Sequence, residues 1–269
     1  MNLLVTTICF INRQKEGAEI YGTKYAQRLI RDVLTKTPYD IRVATNEPEL
    51  FTDIVESSNG RASVLHDSLS RNRVWVGEGM HFNQLLKYIA FKDIDAKYDW
   101  VLYLDCDTGL HESVDPEQLE QFLNRNLAAG FDAHGTRIDN TLIYALKTYE
   151  RGEPELFGDK FRFYNVSTTH GPFEWLGATM PSEHIVLLQN SSKLPVFCKH
   201  FDDFCTWFET QGSVVDGGKD IPYQTQDMEA FEIGVSAELA GYKFRELGPD
   251  QQALLKIKFN GSNWEGIKL

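Results

Sequence analysis

The stretch Trp100-Val101-Leu102-Tyr103-Leu104-Asp105-Cys106-Asp107, WVLYLDCD, decides the fold. An unbroken apolar run of this length reads as a strand buried on both faces, the kind found in parallel sheets. It ends in two acids one residue apart, which holds their carboxylates close together. Such a pair is a ready ligand for a divalent cation and, through it, for a diphosphate. Hard cations take oxygen ligands and keep positions open for substrate phosphates. The plainer reading is that acids often cap strand ends and turns. The surrounding chain has to separate the two.

Upstream of this stretch the chain alternates. Leu3–Phe10 is an apolar, β-branched run, which predicts a buried first strand. Residues 16–36 carry Tyr25, Leu29, Ile30, Val33 and Leu34 at helical spacing, and Thr37-Pro38 ends the helix. Asp40–Thr45 predicts a second strand, residues 49–55 a brief helix and Ala62–His66 a third strand. Phe82, Leu85, Leu86, Ile89 and Ala90 mark another helix before the fourth strand, Trp100–Leu104. This alternation predicts an α/β fold, a mainly parallel sheet flanked by helices. Ligands of such sheets bind at the carboxyl ends of the strands, where Asp105 and Asp107 lie.

Downstream the pattern is less regular. Residues 116–129 read as a helix, 130–179 as a polar, aromatic and Gly-rich stretch, and 185–188 as a short strand or helix start. Residues 196–210 carry Phe197, Phe201, Phe204 and Phe208 at helical spacing, an aromatic stripe expected in the core. Residues 223–241 read as a helix closed by Gly241. The tail IKFNGSNWEGIKL is strand-like and then loop. The expected division is an N-terminal half, 1–115, and a second half, 116–269, within one continuous domain.

Composition narrows the function. The chain has 269 residues, 42% of them hydrophobic, enough for a sizeable core. Its net charge of −12, with no basic stripe, leans away from the phosphate backbone of nucleic acid. No apolar run reaches the length of a membrane span, and no basic amphipathic helix suggests stable membrane association. MNLLVTTICF lacks a basic leader and a small-residue cleavage site, so it reads as a strand and not a signal peptide. Cys9, Cys106, Cys198 and Cys205 show no zinc spacing. A reduced, cytoplasmic protein is the expectation.

The alternating N-terminal half with WVLYLDCD at its fourth strand resembles nucleotide-sugar glycosyltransferases of the GT-A fold. The segment YQTQDMEAFEIGVSAELAGY, ending in Ala240-Gly241-Tyr242, resembles the acidic segment and following helix of the same enzymes. The resemblance covers most of the chain in order, through two short motifs. It implies a GT-A fold whose second half is less regular and binds the acceptor. It implies that Asp105 and Asp107 bind Mn²⁺ or Mg²⁺, which bridges the donor diphosphate. The expected direct ligand is Asp107. Asp105 would hold the metal or the donor's ribose or sugar. The expected donor is a nucleotide sugar, a UDP-sugar first.

The chain departs from that family in two places. The downstream acids are Asp227, Glu229 and Glu232, not an adjacent Glu-Asp pair. Asp227 is the leading candidate for the general base that takes the acceptor's proton, with Glu229 second. The competing reading is that Thr225 caps a helix and Asp227 favours its dipole. Many members also supply a C-terminal histidine to the metal, where Lys258 stands in KFNGSNW. Either that third ligand is absent or Lys258 contacts the diphosphate.

Further donor contacts are expected from strand ends, at Thr7 and Asn46, and from Arg71, Arg73 and Lys87, whose charges suit a diphosphate. An ordinary surface charge is the alternative for each of these three. His111 lies just past the D-x-D and fits either the site or a loop. His170 and His184, flanking FEWLGATMP, are expected on the acceptor side. Trp175 reads as core more readily than as a sugar-stacking platform. The acceptor is a hydroxyl compound, a glycan or another soluble molecule before a hydroxylated base of phage-type modified DNA. Rival readings are a nucleotidyltransferase, whose early Gly-rich basic loop is poorly matched by INRQKEGAEIYGT, and a binding module without catalysis. The residues leave the oligomeric state and the stereochemistry of transfer open.

Overall fold

The computed structural model describes residues 1–11, 18–67, 84–137, 181–210, 233–234 and 236–259. Its centre is a seven-stranded sheet covered on both faces. Chain order runs β1 (Leu3–Ile8), α1 (Ala18–Lys36), β2 (Asp40–Thr45), a 3₁₀ turn (Pro48–Phe51) leading into α2 (Thr52–Glu56), and β3 (Ala62–His66). A 3₁₀ segment, Gln84–Phe91, precedes β4 (Trp100–Leu104), β5 (Thr108–Leu110), α3 (Pro116–Ala128) and β6 (Ala133–Arg137). The chain continues through β7 (Pro181–Gln189), α4 (Lys193–Thr210), β8 (Phe244–Glu246), α5 (Pro249–Leu255) and β9 (Ile257–Phe259).

The sheet order is β3-β2-β1-β4-β7-β6-β8. The strands β3, β2, β1 and β4 are mutually parallel, as the alternation predicts. β7 is antiparallel to both β4 and β6, and β8 is parallel to β6. The sheet is therefore mixed, though mainly parallel. Both halves of the chain contribute strands to it.

Side-chain alternation sorts the core into two layers. Leu102 and Leu104 of β4 join Leu3, Val5, Ile41 and Val43 against α1 and α3. Val101 and Tyr103 point the other way, toward Tyr88–Phe91, Phe197 and Phe201. Every residue of β4 is buried, and each large apolar side chain so enclosed stabilises by about 1.5–3 kcal/mol. In α1 the residues Ala26, Leu29, Ile30 and Val33 are fully buried, the one-sided stripe of an amphipathic helix. Thr37 closes it by returning both its N–H and its hydroxyl to the Val33 carbonyl.

Two elements differ from expectation. The helix expected around Phe82–Ala90 is, where described, a 3₁₀ segment. Of this segment, Lys87, Tyr88, Ile89, Ala90 and Phe91 are buried. The 185–188 run is part of a nine-residue strand, β7. Gly241 closes the preceding helical residues with φ +81°, the left-handed conformation a helix end needs, and Tyr242 donates back to Ala237. Phe197 and Phe201 are core residues, stacked with centroids 6.0 Å apart.

Candidate metal centre

The sheet reverses direction of build at its middle. From β1 the chain winds outward to β2 and β3, then returns to place β4 on the other side of β1. That switch, at the carboxyl ends of β1 and β4, is the crevice position where sheets of this kind bind ligands. Asp105 and Asp107 lead directly from β4 into it. A tight turn fixes them: Thr108 donates to the Asp105 carbonyl through both its N–H (2.9 Å) and its hydroxyl (2.7 Å). Beyond the turn, β5 pairs with β9, which brings the backbone of Lys258 opposite Gly109.

The antiparallel β7 supplies a third group. Leu104 lies opposite Ile185, and the Asp105 N–H donates to the His184 carbonyl at 3.1 Å. His184 therefore stands beside Asp105 at the mouth of the crevice. Its Nδ1 is 2.6 Å from Oδ2 of Asp105. One ligand atom each from Asp105, Asp107 and His184 lies within 4.8 Å of the others. Two carboxylates and an imidazole form a donor set that fits a divalent cation.

Asp105 is the hub of this cluster. The Tyr103 hydroxyl donates to its Oδ1 at 2.5 Å. The Lys87 ammonium lies 2.9 Å from Oδ1 and 3.2 Å from Oδ2. Lys87 is 4% exposed, and its ammonium sits 5.5 Å from the centre of the Tyr103 ring. Burial by itself raises the Asp105 carboxyl's proton affinity. Lys87, His184 and Tyr103 together outweigh it and hold the group well below the usual carboxylate range. Asp107 is shifted the other way, raised by crowding of the surrounding protein and by the Asp105 charge, although its side chain is open to solvent. Cys106 between them is inert, its thiol pushed up by burial.

The other candidate residues occupy varied positions. Lys87 is in the cluster. Asn46 clamps two strand ends: its Oδ1 accepts from the Ile11 N–H (2.8 Å) and its Nδ2 donates to the Ile11 carbonyl (3.1 Å). Thr7 is fully buried within β1, with its hydroxyl enclosed. His111 donates its backbone N–H to Lys256 and lies 3.8 Å from the Glu112 carboxylate. Arg71, Arg73, His170, Trp175, Asp227 and Glu229 lie outside the described residues, as does the side chain of Lys258. His184, expected on the acceptor side, stands beside the D-x-D. Tyr103 carries no signal in the sequence beyond its place in an apolar strand. The one available clue to His184 is its position just before the apolar run IVLL.

No family model matches the sequence, and no curated protein matches it. Among solved structures the chain is similar to the galactosyltransferase LgtC in complex with donor and acceptor sugar analogues. That match has 12% identity, covers 98% of this chain and 81% of the other, and has a TM-score of 0.47. It is also similar to mouse xyloside xylosyltransferase 1, at 9% identity, covering 92% and 85%, with a TM-score of 0.41. A third is 4-diphosphocytidyl-2C-methyl-D-erythritol synthase from Anaerococcus prevotii, at 10% identity, covering 91% and 86%, with a TM-score of 0.40.

Proposed function

We propose that the chain is a metal-dependent glycosyltransferase. It moves a sugar from a nucleoside diphosphate sugar, a UDP-sugar first, to a hydroxyl acceptor. The observation that carries this reading is the convergence of Asp105, Asp107 and His184 with the buried Lys87 at the carboxyl ends of β1 and β4. The donor set, two carboxylates with an imidazole, fits a divalent cation, Mn²⁺ or Mg²⁺ in this reading. When bound, the cation would neutralise the departing diphosphate.

The chain's own residues supply the rest. Asp107, exposed beside the pinned Asp105, is a direct ligand in this reading. Asp105 is held rigid by Tyr103 and by the His184 backbone, which fixes the geometry of the site. Lys87 brings a positive charge to the crevice where the diphosphate would lie. Asp227, with Glu229 second, takes the acceptor's proton in this reading, and the second half of the chain receives the acceptor. A glycan or another hydroxyl compound is the acceptor class that suits a chain of net charge −12. Among the described residues no helix is long and apolar enough to cross a membrane.

The test is a panel of UDP-, GDP- and CMP-sugars with Mn²⁺, read by nucleotide release. One donor should be hydrolysed slowly without acceptor and faster with the right one. Release of pyrophosphate from a nucleoside triphosphate instead would identify a nucleotidyltransferase. No turnover and no metal-dependent thermal shift with any donor would sink both.

A further inference from the structure

Lys87 sits where an incoming cation would have to share a carboxylate. Its ammonium contacts both oxygens of Asp105, at 2.9 and 3.2 Å, and its side chain is 5% exposed. The same two oxygens accept from Tyr103 and face His184. Asp105 is thus fully engaged before any metal arrives.

The balance of charge governs metal entry. Among the described residues the Lys87 ammonium already offsets part of the negative charge that Asp105 and Asp107 offer a cation. A divalent cation taking Asp105 would face that ammonium across a shared carboxylate, and the Lys87 side chain is shielded from water. A diphosphate brings the negative charge that restores balance, and it offers Lys87 a new partner. From this geometry we infer that Lys87 is an internal counter-cation that makes metal binding conditional on a diphosphate-type anion. Cation and anion load together, Lys87 passing from Asp105 to the anion. The inference rests on the metal-dependent reading above and adds an order of assembly to it. Lys87 acts here as a positioning residue for Asp105 in one state and as an anion contact in the other.

The experiment measures free Mn²⁺ by electron paramagnetic resonance, with and without saturating UDP. Mn²⁺ bound by UDP itself is measured without protein and subtracted. In the wild-type protein UDP should tighten Mn²⁺ at least tenfold. Because coupling is reciprocal, Mn²⁺ should tighten UDP by the same factor. In Lys87→Gln, Mn²⁺ alone should bind several-fold tighter than in the wild type, and the UDP effect should shrink below about threefold. Lys87→Arg should keep weak Mn²⁺ binding and strong coupling. Lys87→Met, which keeps the apolar stem, is the alternate if the Gln variant does not fold. Unchanged coupling in a folded Lys87→Gln or Lys87→Met overturns the inference and leaves the glycosyltransferase reading intact. So does a wild-type Mn²⁺ affinity that UDP does not alter, a comparison that needs no variant. Absence of Mn²⁺ binding with and without UDP overturns both.

Discussion

Nδ1 of His184 lies 2.6 Å from Oδ2 of Asp105, although 79 positions separate them in the chain. The antiparallel pairing of β7 with β4 makes the contact, since it sets the start of one strand at the end of the other. If this pair and Asp107 hold the metal, His184→Ala should weaken Mn²⁺ by about tenfold or more, the scale seen when a metal site loses a supporting partner. Asp107→Ala should remove metal-dependent UDP binding. Calorimetric titration of Mn²⁺ in the presence of UDP checks both. Retained Mn²⁺-dependent binding in Asp107→Ala would strike it from the ligand set.

Tyr103 is fully buried and donates its hydroxyl to the Asp105 carboxylate. Tyr103→Phe keeps the ring packing and deletes only that bond. A hydrogen bond to a buried charge contributes about 1.5–3 kcal/mol, so urea unfolding should show a loss in that range. Mn²⁺ affinity should fall as well, because Asp105 loses one of the groups that orient it. A stability loss with unchanged metal affinity would confine Tyr103 to packing.

His134 gives the fold an acid-sensitive element away from the site. The ring is fully buried between Trp100 and Phe122, with centroids 5.7 and 5.4 Å away. Neither nitrogen has a hydrogen-bond partner of good geometry, though the Arg245 backbone lies near enough to oppose the shift. Burial pushes its pKa down from 6.5 to about 4. The folded state therefore favours the neutral ring, while the unfolded chain takes up a proton sooner. Stability from this group is complete above the unfolded value and is lost as pH falls from about 6.5 toward 4. The loss is on the order of 3 kcal/mol by linkage. Urea midpoints at pH 7.5, 6 and 5 measure it, and His134→Phe should flatten the slope. The Asp105 carboxylate acts in a separate window. Its lowered pKa stabilises above the ordinary carboxylate range and is lost only in stronger acid.

Arg42 of β2 secures the end of the segment that carries Lys87. Its guanidinium donates to the carbonyls of Ala90 (2.8 Å), Lys92 (2.6 Å) and Asp93 (3.2 Å). Arg42→Met would leave these acceptors unbonded and should cost about 2–4 kcal/mol. Urea unfolding checks the loss. The coupling between Mn²⁺ and UDP should weaken in parallel, since Lys87 would no longer be held on its buried line to Asp105.

The parallel half of the sheet was legible because β1 and β4 are apolar runs, β2 and β3 are short strand-like stretches between turns, and α1 is a one-sided stripe. Leu3–Ile8, Asp40–Thr45, Ala62–His66 and Trp100–Leu104 all stand where the pattern places them. The two carboxylates were legible for the same reason, since a strand end is a local feature. His184 was not. Its role depends on which strand β7 joins and in which direction, and a run such as IVLL carries no trace of its partner. Asn46 shows a second limit. A polar residue at a strand end signals a contact without naming its partner, and among the described residues its amide binds the Ile11 backbone. The winding of Gln84–Phe91 shows a further limit, because apolar spacing alone does not separate a 3₁₀ segment from an α-helix.

The pairing of β4 with β7 also sets the order in which the molecule matures. The first hundred or so residues can carry both aspartates without the imidazole. The full ligand set exists only after the chain has been made through residue 189 and β7 has docked. If Asp105, Asp107 and His184 hold the metal, it binds only chains in which β7 has paired with β4, and it stabilises that paired state by mass action. Metal affinity would then be a gauge of whether those two strands have met.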